Sequence, residues 1–114
     1  MTNTFADISR EADVIMLVGS NPEEAHPVFG MQLRQAAQRG AKFIVVDPRD
    51  IALSKQAAIH LKLRPGTNVA FVNGMMNVIF SEGLEDKEFI QQRTEGVDEI
   101  RNLVKEYTPE RVAK

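Results

Sequence analysis

The chain has 114 residues, 43% of them apolar and 26% charged, which is ordinary usage for a folded domain and excludes a disordered or collagen-like chain. At this length we expect one domain, or a piece of a larger one, with one modest core. The net charge of −2 argues against a broad nucleic-acid footprint, and the absence of cysteine excludes disulfides, a Cys nucleophile, thiolate-bound zinc and a cysteine-held iron–sulfur cluster within these residues.

The first predicted element is a strand over Val14-Ile15-Met16-Leu17-Val18, a continuous apolar run of the kind buried on both faces of a parallel sheet. It stops at the turn signal Gly19-Ser20-Asn21-Pro22. A helix follows from His26 or Pro27 to Arg39, with Phe29, Leu33, Ala36 and Ala37 on one stripe and Gly40 as its C-terminal stop. Phe43-Ile44-Val45-Val46 is a second buried strand, closed by Asp47-Pro48-Arg49. Strand, helix and strand within about 35 residues make a βαβ unit, whose crossover should be right-handed.

A short helix is expected over Asp50 to Gln56, then a third strand over Ala58 to Leu63. There Ile59, Leu61 and Leu63 alternate with His60, Lys62 and Arg64, so one face should be buried and the other polar, as at a sheet edge. Arg64-Pro65-Gly66-Thr67-Asn68 is a turn with Thr67 or Asn68 available as N-cap. The next helix, to Glu82, carries Val69, Val72, Met76, Ile79 and Phe80 on one stripe and Phe71, Met75 and Val78 on a second, so it should be covered on more than one side. Gly83 ends it. Two shorter helices follow: Asp86 to Arg93, capped by Asp86, and Val97 to Tyr107, with Val97, Ile100, Val104 and Tyr107 on one face. Thr108-Pro109-Glu110 then reads as a helix start with little chain left to extend it, which suggests a truncated element. The predicted fold class is α/β: a Rossmann-like parallel sheet of about three strands, helices on both faces and a helical C-terminal part. The expected division is a βαβ-type nucleotide-binding core over 1–68 and helices over 69–114.

In an open α/β sheet, ligands bind beyond the carboxyl ends of the strands. Three loops fall there: Gly19 to Glu24, Asp47 to Asp50, and Arg64 to Asn68. The first lacks the spaced glycines of the dinucleotide fingerprint, and Glu23 and Glu24 would repel an anion unless they point away. It is read equally as a phosphate-binding loop or a plain turn. Asp47 could accept ribose hydroxyls, or else cap the following helix or pair with Arg49. Gly66 lets the backbone approach a ligand, or simply completes a tight turn.

His26 and His60 read as structural or surface residues. Met75 and Met76 read as core filling, and Asp86, Glu88, Asp98 and Glu99 as solvated helix faces. No carboxylate pair, Ser/His/Asp set or metal-ligand spacing stands out, so no catalytic or metal-binding residue is assigned. No apolar run approaches the roughly 20 residues of a membrane-spanning helix. The opening Met1-Thr2-Asn3-Thr4 lacks the pattern of a secretory signal. A cytoplasmic, reduced setting is the default expectation.

Several of these strings, in collinear order, resemble the molybdopterin oxidoreductases. They are Met1-Thr2-Asn3-Thr4 with Asp13-Val14-Ile15, then Gly19-Ser20-Asn21-Pro22-Glu23-Glu24-Ala25-His26-Pro27, Gly40-Ala41-Lys42 with Val46-Asp47-Pro48-Arg49, and His60-Leu61 with Leu63-Arg64-Pro65-Gly66-Thr67-Asn68. Glu82-Gly83-Leu84 with Asp86-Lys87-Glu88-Phe89-Ile90, and Arg93-Thr94-Glu95-Gly96, look most like formate dehydrogenase catalytic (alpha) subunits. The resemblance implies a segment that binds the guanosine end of a molybdopterin guanine dinucleotide. Gly19, Ser20, Asn21 and Pro22 would line the phosphate and ribose region. Asp47 would contact the guanosine, with Pro48 and Arg49 shaping its loop, and Pro65, Gly66, Thr67 and Asn68 would approach the guanine edge. The commoner pattern has Asp where this chain has Asn68; a carboxylate accepts two guanine N–H donors, whereas an amide offers one acceptor.

The resemblance further implies that molybdenum or tungsten, its selenocysteine or cysteine ligand, a neighbouring catalytic His and the iron–sulfur cysteines belong to other parts of a full-length subunit. The expected partners are the remaining domains of that subunit and electron-transfer subunits, with no nucleic acid and no membrane span. An isolated chain of this sequence would not oxidise formate. Two other readings stand beside this one: a stand-alone regulatory module for a mononucleotide or NAD, and an assembly module that binds no ligand.

Overall fold

The computed structural model describes residues 3–114; Met1 and Thr2, part of the family-like opening string, lie outside the described residues. The chain divides into two compact units, residues 1–64 and 65–114.

The first unit opens with a helix absent from the expected elements, α1 (Phe5–Glu11). It starts through a reciprocal capping box: the Asp7 N–H donates to Thr4 Oγ1 (3.2 Å) and the Thr4 N–H donates to Asp7 Oδ2 (2.7 Å), satisfying two backbone donors that a helix start leaves unpaired. Strand β1 (Val14–Val18) follows, then a single turn α2 (Pro22–Ala25), α3 (Pro27–Arg39), β2 (Lys42–Val46), a 3₁₀ turn at Ala52–Gln56, and β3 (Ile59–Leu61). All three strands are parallel in the order β1-β2-β3, with Val14 opposite Lys42 and Val18 opposite Val46, and Ile44 opposite Ile59 and Val46 opposite Leu61.

This is the predicted open parallel sheet with helices. Its centre is β2, whose Phe43 and Val45 join Ile15 and Leu17 of β1, Leu33 and Ala36 of α3, and Ile51 and Leu53 in one buried cluster. The stripe predicted for α3 is the face that supplies Leu33 and Ala36, with Phe29 and Ala37 partly buried at its margin. Phe5 stacks on Phe29 at 4.4 Å between ring centroids, and Arg39 Nη1 donates to the Ser9 carbonyl (2.6 Å), so α1 is tied to α3 at both ends.

Three expectations need correction. β1 is not buried on both faces: Ile15 and Leu17 point into the core, while Val14 and Val18 are exposed. An apolar run specifies hydrophobicity, not which layers cover each face. The third strand is shorter than predicted, and its faces are not as expected: Ile59, on the predicted buried face, is exposed, while the His60 side chain, on the predicted polar face, is well covered. The short helix is a 3₁₀ turn. Leu53 anchors it in the core and Ser54 Oγ donates to the Ile51 carbonyl (2.6 Å), a local bond that suits a five-residue turn.

The second unit contains four helices, α4 (Asn68–Ser81), α5 (Lys87–Arg93), α6 (Val97–Val104) and α7 (Pro109–Val112). Asp86 caps α5 as predicted, accepting from the Phe89 N–H (2.9 Å), and Thr108 Oγ1 accepts from the Arg111 N–H (3.4 Å) at the start of α7. α6 stops at Val104, three residues before the predicted end, and its last carbonyls receive Asn77 Nδ2 from α4 (2.9 Å to Val104). The buried residues of α4 are Asn73 and Gly74; of its predicted first stripe Val69, Val72 and Ile79 are exposed, while Met76 and Phe80 are half-buried. Val104 is the buried anchor of α6. Among the described residues no helix is long and apolar enough to cross a membrane.

Candidate functional site

The candidate site grows from the carboxyl ends of β1 and β2. β1 is followed by Gly19, whose φ of 56° is in the left-handed region that an L side chain rarely adopts. Its N–H donates to the Val46 carbonyl (2.8 Å), which carries the strand ladder one residue beyond the sheet and joins the first loop to the end of β2. A Cβ built on Gly19 would meet nothing within 4 Å, so the backbone there borders open space. Ser20 and Asn21 lead into Pro22, which is buried and opens α2, and the Asn21 carbonyl accepts from the Glu24 (3.1 Å) and Ala25 (3.0 Å) N–H groups. The Asn21 Oδ1 atom is buried without a hydrogen-bond partner. Glu23 pairs with Arg34 on α3, which neutralises one of the two acids that would oppose an anion at this loop.

Asp47 follows β2 directly and is the most buried acid of the site, 1% exposed. Its Oδ1 accepts from the Arg49 backbone N–H (2.8 Å) and from Arg49 Nε (3.1 Å), and its Oδ2 accepts from Arg49 Nη2 (3.2 Å). The Arg49 guanidinium and then its backbone N–H hold the Asp47 carboxyl below the usual carboxylate range, against the opposing effect of burial. A carboxylate offers about four acceptor positions and three are taken, so one position on Oδ2 is unfilled, but the side chain is only 2% exposed and an outside donor reaches it only after Arg49 moves. The Arg49 side chain is 64% exposed, so it can leave the carboxylate without opening the core. The predicted pairing of Asp47 with Arg49 is therefore the observed one, and Pro48 between them supplies no backbone donor.

The Asp47 backbone is held from β3. Its N–H donates to the Leu61 carbonyl (3.1 Å), and its carbonyl lies 3.0 Å from His60 Nε2. His60 Nδ1 faces Asp50 Oδ1 at 3.6 Å, and Asp50 Oδ2 accepts from Lys62 Nζ (2.8 Å). The Lys62 ammonium lowers the Asp50 carboxyl as well. Sequence reading passed over His60, placing it only on the polar side of a strand. The register Val46–Leu61 is what sets it beside Asp47, and periodicity within one strand carries no information about register.

Pro65, Gly66, Thr67 and Asn68 open the second unit. Gly66 has φ 88° and open space around a built Cβ. Thr67 occupies the N-cap position of α4, without a side-chain capping bond, and its carbonyl accepts from the Phe71 N–H (3.0 Å). Asn68 is the first helical residue and is exposed. The structure thus brings Gly19, the end of β2, Asp47 and Arg49 together within the first unit.

A parallel βαβ sheet with its loops and a buried acid at the carboxyl ends of the strands defines a Rossmann-like α/β domain, in which such loops are the usual place for a ligand. The family model for the molybdopterin oxidoreductases matches residues 1–106, and the chain belongs to that family. An F420-dependent formate dehydrogenase subunit alpha from Methanocaldococcus jannaschii is 47% identical over 114 residues, which are 100% of this chain and 17% of that protein. Formate dehydrogenase H of Escherichia coli is 41% identical over 112 residues, covering 98% of this chain and 16% of that one. Among solved structures, acetylene hydratase from Pelobacter acetylenicus superposes with a TM-score of 0.84 at 37% identity, over 92% of this chain and 15% of that one. The chain spans about a sixth of the length of these relatives.

Membership implies a molybdopterin cofactor carrying molybdenum or tungsten. The first unit offers polar groups that a phosphate- or hydroxyl-bearing part of such a group could use: an orphaned buried acceptor on Asn21, open space at Gly19, the Asp47 carboxylate and the exposed guanidinium of Arg49.

Proposed function

We propose that this chain is the segment of a formate dehydrogenase-type molybdopterin oxidoreductase that binds the guanosine end of a molybdopterin guanine dinucleotide. The observation that carries the reading is Asp47, a buried carboxylate just past the central strand, kept ionised by Arg49 and held on its backbone by β3. Once Arg49 moves, a ribose hydroxyl would take the remaining Oδ2 position, and the same release would free two more acceptor positions while supplying a cation for the diphosphate. Gly19, Ser20, Asn21 and Pro22 would line the phosphate and ribose, with Asn21 Oδ1 accepting a hydroxyl. Pro48 shapes the loop by withholding a backbone N–H. Pro65, Gly66, Thr67 and Asn68 are assigned to the guanine edge, where the Asn68 amide gives a weaker hold on guanine than a carboxylate.

The cofactor, when bound, would supply the two-electron chemistry through its metal. This chain's residues bind and orient, and none is assigned to bond making. In a full-length subunit in the cytoplasm, the reaction would be the oxidation of formate, with electrons leaving through iron–sulfur clusters to partner subunits. Formate is favoured over the substrates of other family members by the identity to formate dehydrogenase alpha subunits along the whole chain.

A thermal-shift series tests the reading. GDP and GMP should stabilise the chain and NAD should not, and Asp47→Ala should abolish the guanine-nucleotide shift. A shift with NAD alone would favour a stand-alone regulatory module, and no shift with any nucleotide would favour an assembly module.

A further inference from the structure

The ladder between β2 and β3 ends at Val46–Leu61, and Pro48 removes the next donor on the β2 side, so the Asp47 peptide leaves the sheet with little regular bonding to hold it. The Asp47 N–H makes the last bond of that ladder, to the Leu61 carbonyl (3.1 Å), and beyond it the Asp47 carbonyl is held by a side chain, His60 Nε2 (3.0 Å). A carbonyl oxygen only accepts, so Nε2 must carry the hydrogen. Nδ1, at 3.6 Å from Asp50 Oδ1, is beyond hydrogen-bond distance of that carboxylate, which is already engaged by Lys62. The imidazole is well covered, with 16% of the side chain exposed, so water competes poorly for the bond.

We propose that His60 is a positioning residue for the candidate site: its Nε2–H, donated across from β3 to the Asp47 carbonyl, fixes the backbone that aims the Asp47 carboxylate. The inference rests on the guanosine-binding reading for its effect on affinity, but not for the geometry it predicts. Without the imidazole, Asp47 keeps its bonds to Arg49 but loses the restraint on its carbonyl, so the residue can shift, which opens its N–H bond to Leu61 more often and carries the carboxylate away from a ligand hydroxyl. Glutamine can restore the restraint, because its amide nitrogen reaches about as far as Nε2 and is also a donor.

The test uses the 114-residue chain and the variants H60L and H60Q. Nitrogen NMR of the wild-type imidazole should show hydrogen on Nε2. H60L should lose about ten-fold in both Asp47 amide exchange protection and GDP affinity, and H60Q should stay within about three-fold of wild type in both, the size expected for one net hydrogen bond. The thermal midpoint of H60L should lie no more than about 6 °C below that of H60Q, the loss of one net hydrogen bond in a chain of this size; a larger fall would mean general destabilisation and would overturn the positioning role. An Nδ1–H tautomer, an H60L chain with wild-type Asp47 protection, or an H60Q chain as impaired as H60L would overturn the proposal. If the wild-type chain binds no GDP, the guanosine reading fails, while Asp47 protection lost in H60L and restored in H60Q still supports the positioning role.

Discussion

Gly30 provides a sharp test of how the first loop is built. It lies in the first turn of α3, buried, and a Cβ placed on it would stand 2.9 Å from Glu23 Cα, 3.0 Å from Glu23 N and 3.1 Å from the Pro22 carbonyl oxygen. All three are backbone atoms of α2, so no side-chain rotation relieves the clash. The single turn of α2 would have to move away from α3, against the bond from the His26 N–H to the Pro22 carbonyl (2.9 Å) and the Glu23–Arg34 pair. Two effects of Gly30→Ala oppose each other. Alanine favours a helix interior over glycine by about 0.5–1 kcal/mol, while overpacking costs about 1–3 kcal/mol. The clash wins, and the net loss should be about 1 kcal/mol, or about 4 °C in Tm for a chain of this size. Thermal unfolding followed by circular dichroism measures it, with Gly74→Ala as the comparison. There the built Cβ meets the Val112 side chain, with Cγ2 at 3.0 Å and Cβ and Cγ1 at 3.4 Å, on the four-residue terminal helix α7, which needs to give by only a few tenths of an ångström, so the change should be nearer zero. Because α2 carries Pro22 and follows Asn21, the GDP-induced shift should also shrink in Gly30→Ala. A Tm equal to or above wild type would show that α2 is not packed on Gly30 as described.

Three other outcomes follow from the same structure. Asp47 has its carboxyl lowered in the folded state, so its ionised form stabilises the fold above the unfolded pKa of about 3.9, and that contribution is lost as pH falls through the folded value. Asp47→Asn should therefore be less stable than wild type at pH 7, with the difference vanishing in acid; parallel pH–stability curves would refute this. Leu33, 0% exposed at the centre of the core, should cost about 3 kcal/mol on truncation to alanine, read as a lower urea midpoint. Val69→Ala, at a residue 70% exposed, should leave the midpoint in place.

Much of the fold was legible because its signals are local. Apolar β-branched runs at Val14–Val18 and Phe43–Val46, a 3.6-residue stripe on α3, Gly40 at its end and Asp86 at the start of α5 each act within a few residues. The first helix lay outside the expected elements because it is only seven residues long, although Phe5, Ile8 and Ala12 stand at helical spacing and Thr4 and Asp7 form a capping box that spacing alone flags. The end of α6 was overrun because Val104 and Tyr107 sit at helical spacing while the chain leaves the helix between them, the Tyr107 N–H turning back to the Val104 carbonyl (3.0 Å).

What the amino-acid sequence determined by itself is the class of architecture and the loops at which chemistry can occur. Periodicity, turn residues and an acid after the second strand are properties of the chain read in order, and so is the family that its strings resemble. Tertiary structure alone decided how those loops are equipped. Whether Glu23 opposes an anion depends on Arg34 standing beside it. The burial of Asp47, its clasp by Arg49 and the placing of His60 against its carbonyl depend on packing and on strand register, which join residues distant in the chain. The same limit holds for the outer face of β1 and for Val69, Val72 and Ile79 of α4: hydrophobicity is written residue by residue, but what covers it is a property of the neighbours.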